Sequence, residues 1–250
     1  MEPHRCPDTA VIRPLNRPDA SLVLVCLGFC GGGVGSYRRW ADHVPPDTDL
    51  AMVCYPGREG RFAEPFARSW DELAVDATEA VASAADRPYL LFGHSMGGWM
   101  AFDVTTRLAA GGGPLPELLI ASSCNAPSRG LTERDRFPRL EDTDLDLVRW
   151  MQTSGSIATE VLADPDLCQL AVALMRADIR VRDTYLPPQV QAEVPVQVLY
   201  GTDDAVIDPA VEAQWSAVTR RTLRVTELPG GHFFTPRVWQ ELPTRFHGLH

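Results

Sequence analysis

Apolar residues in this chain fall in short unbroken runs separated by segments with helical spacing. The runs are Ser21 to Leu27, Leu50 to Tyr55, Tyr89 to Phe92, Leu118 to Ala121 and Val196 to Tyr200, with a sixth, mixed run from Leu223 to Leu228. A run without polar alternation leaves no face for water, so a strand made from it must be covered on both sides. Trp70 to Ala85 places Leu73, Ala77 and Val81 along one helical face. Shorter helical patterns cover about Tyr37 to His43, 209 to 219 and 236 to 246. Strands alternating with helices predict an α/β fold, with a mostly parallel central sheet and helices on both faces. At 250 residues, the chain suffices for one such domain over 1–250.

One stretch breaks the alternation. Residues 130–187 hold no strand pattern, whereas Asp144 to Thr153 and Pro165 to Tyr185 read as helices. Asp164 before Pro165 is an N-cap followed by proline at the first helical position. Leu147, Trp150, Met151, Ile157, Val161 and Leu162 give this stretch walls suited to an acyl chain. It is expected to form a helical lid inserted between sheet strands. Residues 1–20 read as an irregular lead-in.

The formal net charge of −10 disfavours nucleic acid and anionic membranes as partners. No apolar run is long enough to span a bilayer, and the N-terminus lacks the apolar core of a signal peptide, so a cytoplasmic location is expected. The six cysteines (Cys6, Cys26, Cys30, Cys54, Cys124, Cys168) show no C-x-x-C pair and no disulfide framework. Metal-ligand spacing is absent, and neither a metal nor a cofactor of the chain's own is expected.

Gly93-His94-Ser95-Met96-Gly97 joins the Tyr89 run to a helical pattern. Strand, sharp turn and helix around Gly-x-Ser-x-Gly is the setting of a nucleophile elbow, with Ser95 lifted above the sheet near the positive end of a helix. A serine hydroxyl needs a base. His232, in the loop Pro229-Gly230-Gly231-His232-Phe233-Phe234 after the last strand, lies at the carboxyl edge where ligands bind in open α/β sheets. His94 is the competitor, but beside the nucleophile its ring should point elsewhere. His4, His43, His247 and His250 fall in terminal or helical stretches. In the α/β-hydrolase order the acid lies between serine and histidine, and Gly201 to Pro209 offers Asp203, Asp204 and Asp208. Asp208, before Pro209 and a helix, is better explained as an N-cap; composition does not choose between Asp203 and Asp204. One oxyanion donor is expected from the N–H of Met96 and the other from the loop Gly28-Phe29-Cys30-Gly31-Gly32-Gly33. A phosphate-binding role for those glycines fails for want of a Gly-Lys-Ser/Thr ending.

Taken together, these segments resemble the type II thioesterases that accompany polyketide synthases and nonribosomal peptide synthetases. The resemblance spans nearly the whole chain. It rests on Gly31-Gly32-Gly33 with Ser36-Tyr37-Arg38 and Trp40, on Tyr55-Pro56-Gly57-Arg58 with Arg61, and on Gly93-His94-Ser95-Met96-Gly97-Gly98. It continues through Arg176-Ala177-Asp178 with Tyr185, Gly201-x-x-Asp204 and Gly230-Gly231-His232-Phe233-Phe234. Two departures stand out: Ala205 follows the acid where the family has proline, and Phe29-Cys30-Gly31 replaces His-Ala-Gly. The resemblance implies an α/β-hydrolase with Ser95, Asp204 and His232 as triad and backbone donors from Cys30 and Met96. It implies hydrolysis of acyl thioesters carried on the phosphopantetheine arm of acyl or peptidyl carrier proteins. Phe29, Arg58, Arg61 and Phe233 become candidate substrate or carrier contacts, and Arg38, Arg39, Arg58 and Arg61 candidate docking cations. A carboxylesterase or lipase, an acyltransferase, and an inactive carrier-binding protein remain as alternatives.

Overall fold

A computed structural model of the chain describes residues 9–249. Cys6, His4, His250 and the start of the lead-in lie outside the described residues. Seven strands form one sheet: β1 (Val11–Ile12), β2 (Leu22–Leu27), β3 (Thr48–Val53), β4 (Tyr89–His94), β5 (Leu118–Ser122), β6 (Val196–Gly201) and β7 (Leu223–Leu228). Their spatial order is β1-β3-β2-β4-β5-β6-β7, and only the β1–β3 pair is antiparallel. β1 is too short to carry a period and was not legible in the sequence.

The unbroken apolar runs have a direct structural reason. Along β2, Val23, Val25 and Leu27 enter one core, and Leu24 and Cys26 enter the other. The first core is closed by α1 (Trp70–Ala84), α2 (Met96–Gly111), α5 (Pro165–Asp183) and α6 (Val211–Ala217). The second is closed by the 3-10 helix Val34–Asp42 and by α7 (Pro236–Glu241) with the 3-10 turn Leu242–Arg245. β7 is an edge strand, and its outward Arg224, Thr226 and Glu227 explain the mixed pattern of its run.

The chain leaves β2 for β3 on one side and returns to β4 on the other. The loops after β2 and β4 therefore diverge, and a crevice opens at their carboxyl ends. Leu27 pairs with Gly93 in register, which sets the Gly28–Gly33 loop beside Ser95.

Between β5 and β6 lie α3 (Asp144–Ser154), α4 (Thr159–Ala163) and α5. Thr143 caps α3 with a capping box, and Asp164 accepts from the N–H groups of Asp166 and Leu167 at the start of α5. The short α4 was not separated out by pattern. The last turns of α5 are built into the body: the Trp70 N–H donates to Thr184 Oγ1 at 2.8 Å, and Tyr185 stacks on Trp99 with ring centres 5.2 Å apart. Asp208 does not cap α6, whose N-cap is Ala210. Instead its carboxylate accepts from the Ala210 N–H, and its own N–H donates to Asn125 Oδ1 at 2.7 Å. The turn at Pro209 is longer than the spacing implied, so the carboxylate closes the turn and not the helix.

Candidate active site

Ser95 sits between β4 and α2 with φ 54° and ψ −122°, a left-handed backbone that a side chain adopts only under strain. The strain is held by its N–H, which donates to the Ser122 carbonyl at 2.7 Å, and by its carbonyl, which accepts from the Gly98 N–H at 2.9 Å. The flanking glycines answer to close approach. A Cβ on Gly93 would overlap the Gly97 carbonyl, and one on Gly97 would lie 2.6 Å from the Gly28 oxygen.

His232 reaches Ser95 because the loops after β6 and β7 are tied together. The Thr202 N–H donates to the Leu228 carbonyl and the Asp203 N–H to the Gly230 carbonyl, each at 2.9 Å. A side chain at Gly201 would overlap the Gly230 and Gly231 carbonyls. His232 Nε2 lies 3.0 Å from Ser95 Oγ, and His232 Nδ1 lies 2.9 Å from Asp204 Oδ2. An ionised carboxylate only accepts, so Nδ1 carries the proton and Nε2 faces the serine hydroxyl with its lone pair. Asp204 is buried, and its other oxygen accepts from the Val206 N–H at 3.0 Å. Asp203, the other aspartate that composition left open, is exposed.

His94 is fully buried, and its ring indeed turns away from the nucleophile. Nδ1 lies 3.0 Å from Ser122 Oγ, and Phe29, Phe233, Phe234 and Trp239 surround the ring. Burial, reinforced by His232, pushes its pKa well below the usual imidazole value, so it stays neutral.

Ser95 and His232 open on a cavity of about 100 Å³, lined also by Phe29, Cys30, Met96 and Phe233. Among the described residues, neither the Cys30 N–H nor the Met96 N–H is engaged by a protein acceptor. Met96 begins α2, where N–H groups lack intrahelical partners and the helix end is electropositive. The Cys30 thiol, 3.5 Å from Met175 Sδ, is pushed up to about 12 by burial and stays protonated. Among the described residues no group of three or more His, Cys, Asp or Glu could hold a metal ion, and no helix is long and apolar enough to cross a membrane.

Arg58 and Arg61 are corrected. Both are buried, Arg58 in a bidentate pair with Asp178 and Arg61 in pairs with Asp76 and Glu64, so neither offers a docking surface. Arg38 and Arg39 are exposed. On the cavity wall, Ser123 escaped the sequence reading, whereas Trp150 is one of its expected acyl-chain walls. Ser123 has φ 47° and a buried hydroxyl without a partner among the described residues, and Trp150 comes from α3. The only sequence signal for Ser123 was its position just past a strand end.

Comparison with known proteins places this geometry among relatives. The thioesterase domain family matches residues 23–241. The AMB antimetabolite synthetase AmbE of Pseudomonas aeruginosa is 31% identical over 84% of this chain, which spans 10% of that protein. A probable cadicidin biosynthesis thioesterase of Streptomyces griseus is 32% identical over 91% of this chain and 63% of its own length. This chain thus spans less than two thirds of either relative. Among solved structures, the type II thioesterase BorB from the borrelidin biosynthetic cluster superposes with a TM-score of 0.81 at 29% identity, covering 95% of this chain and 96% of BorB.

Proposed function

The chain belongs to the thioesterase domain family, and from that premise we propose that it is a type II thioesterase, hydrolysing acyl groups from the phosphopantetheine thiol of acyl or peptidyl carrier proteins in polyketide or nonribosomal peptide synthesis. The observation that carries the reading is a single imidazole within hydrogen-bonding distance of both a strained serine hydroxyl and a buried carboxylate.

His232 Nε2 takes the proton of Ser95 Oγ as the oxygen attacks the thioester carbonyl. Asp204 holds the ring in the tautomer that can accept that proton and stabilises the imidazolium. The carbonyl oxygen becomes an oxyanion facing the N–H groups of Cys30 and Met96. The C–S bond breaks, and the thiolate leaves with the proton from His232. Water then attacks the acyl-serine, His232 takes its proton, and the collapse returns that proton to Ser95 and releases the free acid. The phosphopantetheine arm belongs to the carrier, so the chain needs no cofactor of its own. Carriers are commonly acidic and this chain has a net charge of −10; docking therefore relies on local cations, for which exposed Arg38 and Arg39 qualify.

The test is release of free acid from a panel of acyl-loaded carrier proteins, set against hydrolysis of matched oxyesters. The reading expects carrier thioesters to be preferred and Ser95→Ala to abolish turnover. A preference for free oxyesters would assign a carboxylesterase, and acyl transfer to an amine or alcohol in place of water would assign a transferase. Carrier binding without labelling of Ser95 by a fluorophosphonate would leave a binding protein.

A further inference from the structure

Arg176 and Asp178 stand two residues apart on α5 and point to different sides of it. Arg176 donates to the Leu140 and Asp142 carbonyls, holding the strap that leads into α3. Asp178 faces the loop after β2. Its Oδ2 accepts from the Gly31 N–H at 2.8 Å and from Arg58 Nη1 at 3.0 Å, and its Oδ1 accepts from Arg58 Nη2 at 2.6 Å. Arg58 Nη1 also donates to the Gly32 carbonyl at 2.8 Å. Carboxylate and guanidinium together therefore hold one N–H and one carbonyl of the stretch that directly follows Cys30. Both side chains are buried, at 1% and 6% exposure for Asp178 and Arg58. One turn earlier on the same face, Met175 closes over the loop: a Cβ on Gly31, whose φ is +76°, would lie 2.5 Å from its methyl group.

A buried ion pair is weak evidence for stability, because apolar residues of similar volume often replace one without loss. Its cost in desolvation makes sense if it specifies a geometry. We propose that Asp178 is a positioning residue: from α5 it fixes the Cys30–Gly31 peptide, and through the turn closed by the Gly32 N–H on the Phe29 carbonyl at 2.8 Å it sets the adjoining Phe29–Cys30 peptide, whose Cys30 N–H is thereby aimed at the oxygen of a tetrahedral adduct on Ser95. The inference rests on the acyl chemistry of Ser95 proposed above. Arg58 is its auxiliary, anchoring the Gly32 carbonyl and neutralising the carboxylate.

Two double variants separate positioning from support. Asp178→Asn/Arg58→Gln is uncharged but keeps an oxygen able to accept from Gly31. Asp178→Leu/Arg58→Met is uncharged and keeps none. Each is compared with wild type by thermal unfolding, by kcat and KM on a p-nitrophenyl ester and a small acyl thioester, and by the inhibition constant of an alkyl boronic acid, which forms a tetrahedral adduct on serine. Loss of an oxyanion donor typically lowers kcat by about 10²–10³-fold. The apolar pair is expected to unfold within a few degrees of wild type, to lose kcat about 10²-fold at nearly unchanged KM, and to bind the boronate correspondingly less well. The amide pair is expected to retain kcat within about tenfold. A folded apolar pair with wild-type kcat and boronate affinity overturns the proposal. So does equal loss in both pairs with boronate affinity unchanged. Should the apolar pair not fold, Asp178→Ser/Arg58→Gln, whose hydroxyl is too short to reach Gly31, takes its place under the same expectations. Wild-type hydrolysis of the p-nitrophenyl ester without the thioester would overturn the substrate reading while leaving this comparison intact.

Discussion

His94 Nδ1 lies 3.0 Å from Ser122 Oγ, with the two ring centres of His94 and His232 5.2 Å apart. Two histidines thus share the floor of the site with opposite assignments. One bridges Ser95 to Asp204, and the other is walled in by aromatic rings.

That enclosure predicts a pH-dependent stability. The His94 pKa is depressed in the folded protein, so below the ordinary value near 6.5 the unfolded chain binds a proton that the fold refuses. Stability therefore falls as the pH drops through 6.5 and below. Between pH 7.5 and 5.0 the wild type is expected to lose about 2 kcal/mol more than His94→Phe. Urea unfolding of both proteins at the two pH values checks this, and parallel losses would contradict it.

Asp204 and Asp203 are neighbours with opposite fates. Asp204→Asn removes the acceptor that sets the His232 tautomer, and kcat is expected to fall roughly 10³–10⁴-fold. Asp203→Asn changes an exposed side chain and should leave kcat within about twofold. Steady-state kinetics on one ester substrate distinguishes the two.

Gly97 lets α2 approach the loop after β2. In Gly97→Ala the added methyl meets the Gly28 carbonyl at 2.6 Å and forces apart the segments bearing Met96 and Cys30. Overpacking of this kind costs about 1–3 kcal/mol, and the melting temperature should fall several degrees together with kcat. Full activity at an unchanged melting temperature would show that the loop yields without consequence.

Arg61 tests the reassignment of the arginines. Arg61→Met breaks the buried pair with Asp76 and the pair with Glu64, a loss on the order of 3–5 kcal/mol. Its effect should appear in unfolding measurements. The pair Arg38→Glu/Arg39→Glu is expected to raise KM for a carrier-bound thioester but not for a small one, with stability nearly unchanged. Equal KM changes on both substrates would remove these two arginines from docking.

Local chemistry made much of this protein readable in one dimension. Six of the seven strands declare themselves by runs that tolerate no polar face, or by edge-strand mixing at Leu223 to Leu228. The elbow at Ser95 declares itself because only small residues survive so tight a turn. The order of serine, acid and histidine follows from chain direction alone. What stayed hidden depends on who meets whom across the fold. Asp203 and Asp204 have the same side chain, and what separates them is the contact of Asp204 Oδ2 with His232 Nδ1, with Asp204 buried and Asp203 exposed. Arg58 and Arg61 carry the charge of surface residues, yet Asp178 lies 120 positions from Arg58 and Asp76 lies 15 positions from Arg61. An arginine does not announce in sequence whether a carboxylate awaits it in the interior. That is set by packing, because a buried charge is tolerated only where a partner arrives with the right geometry.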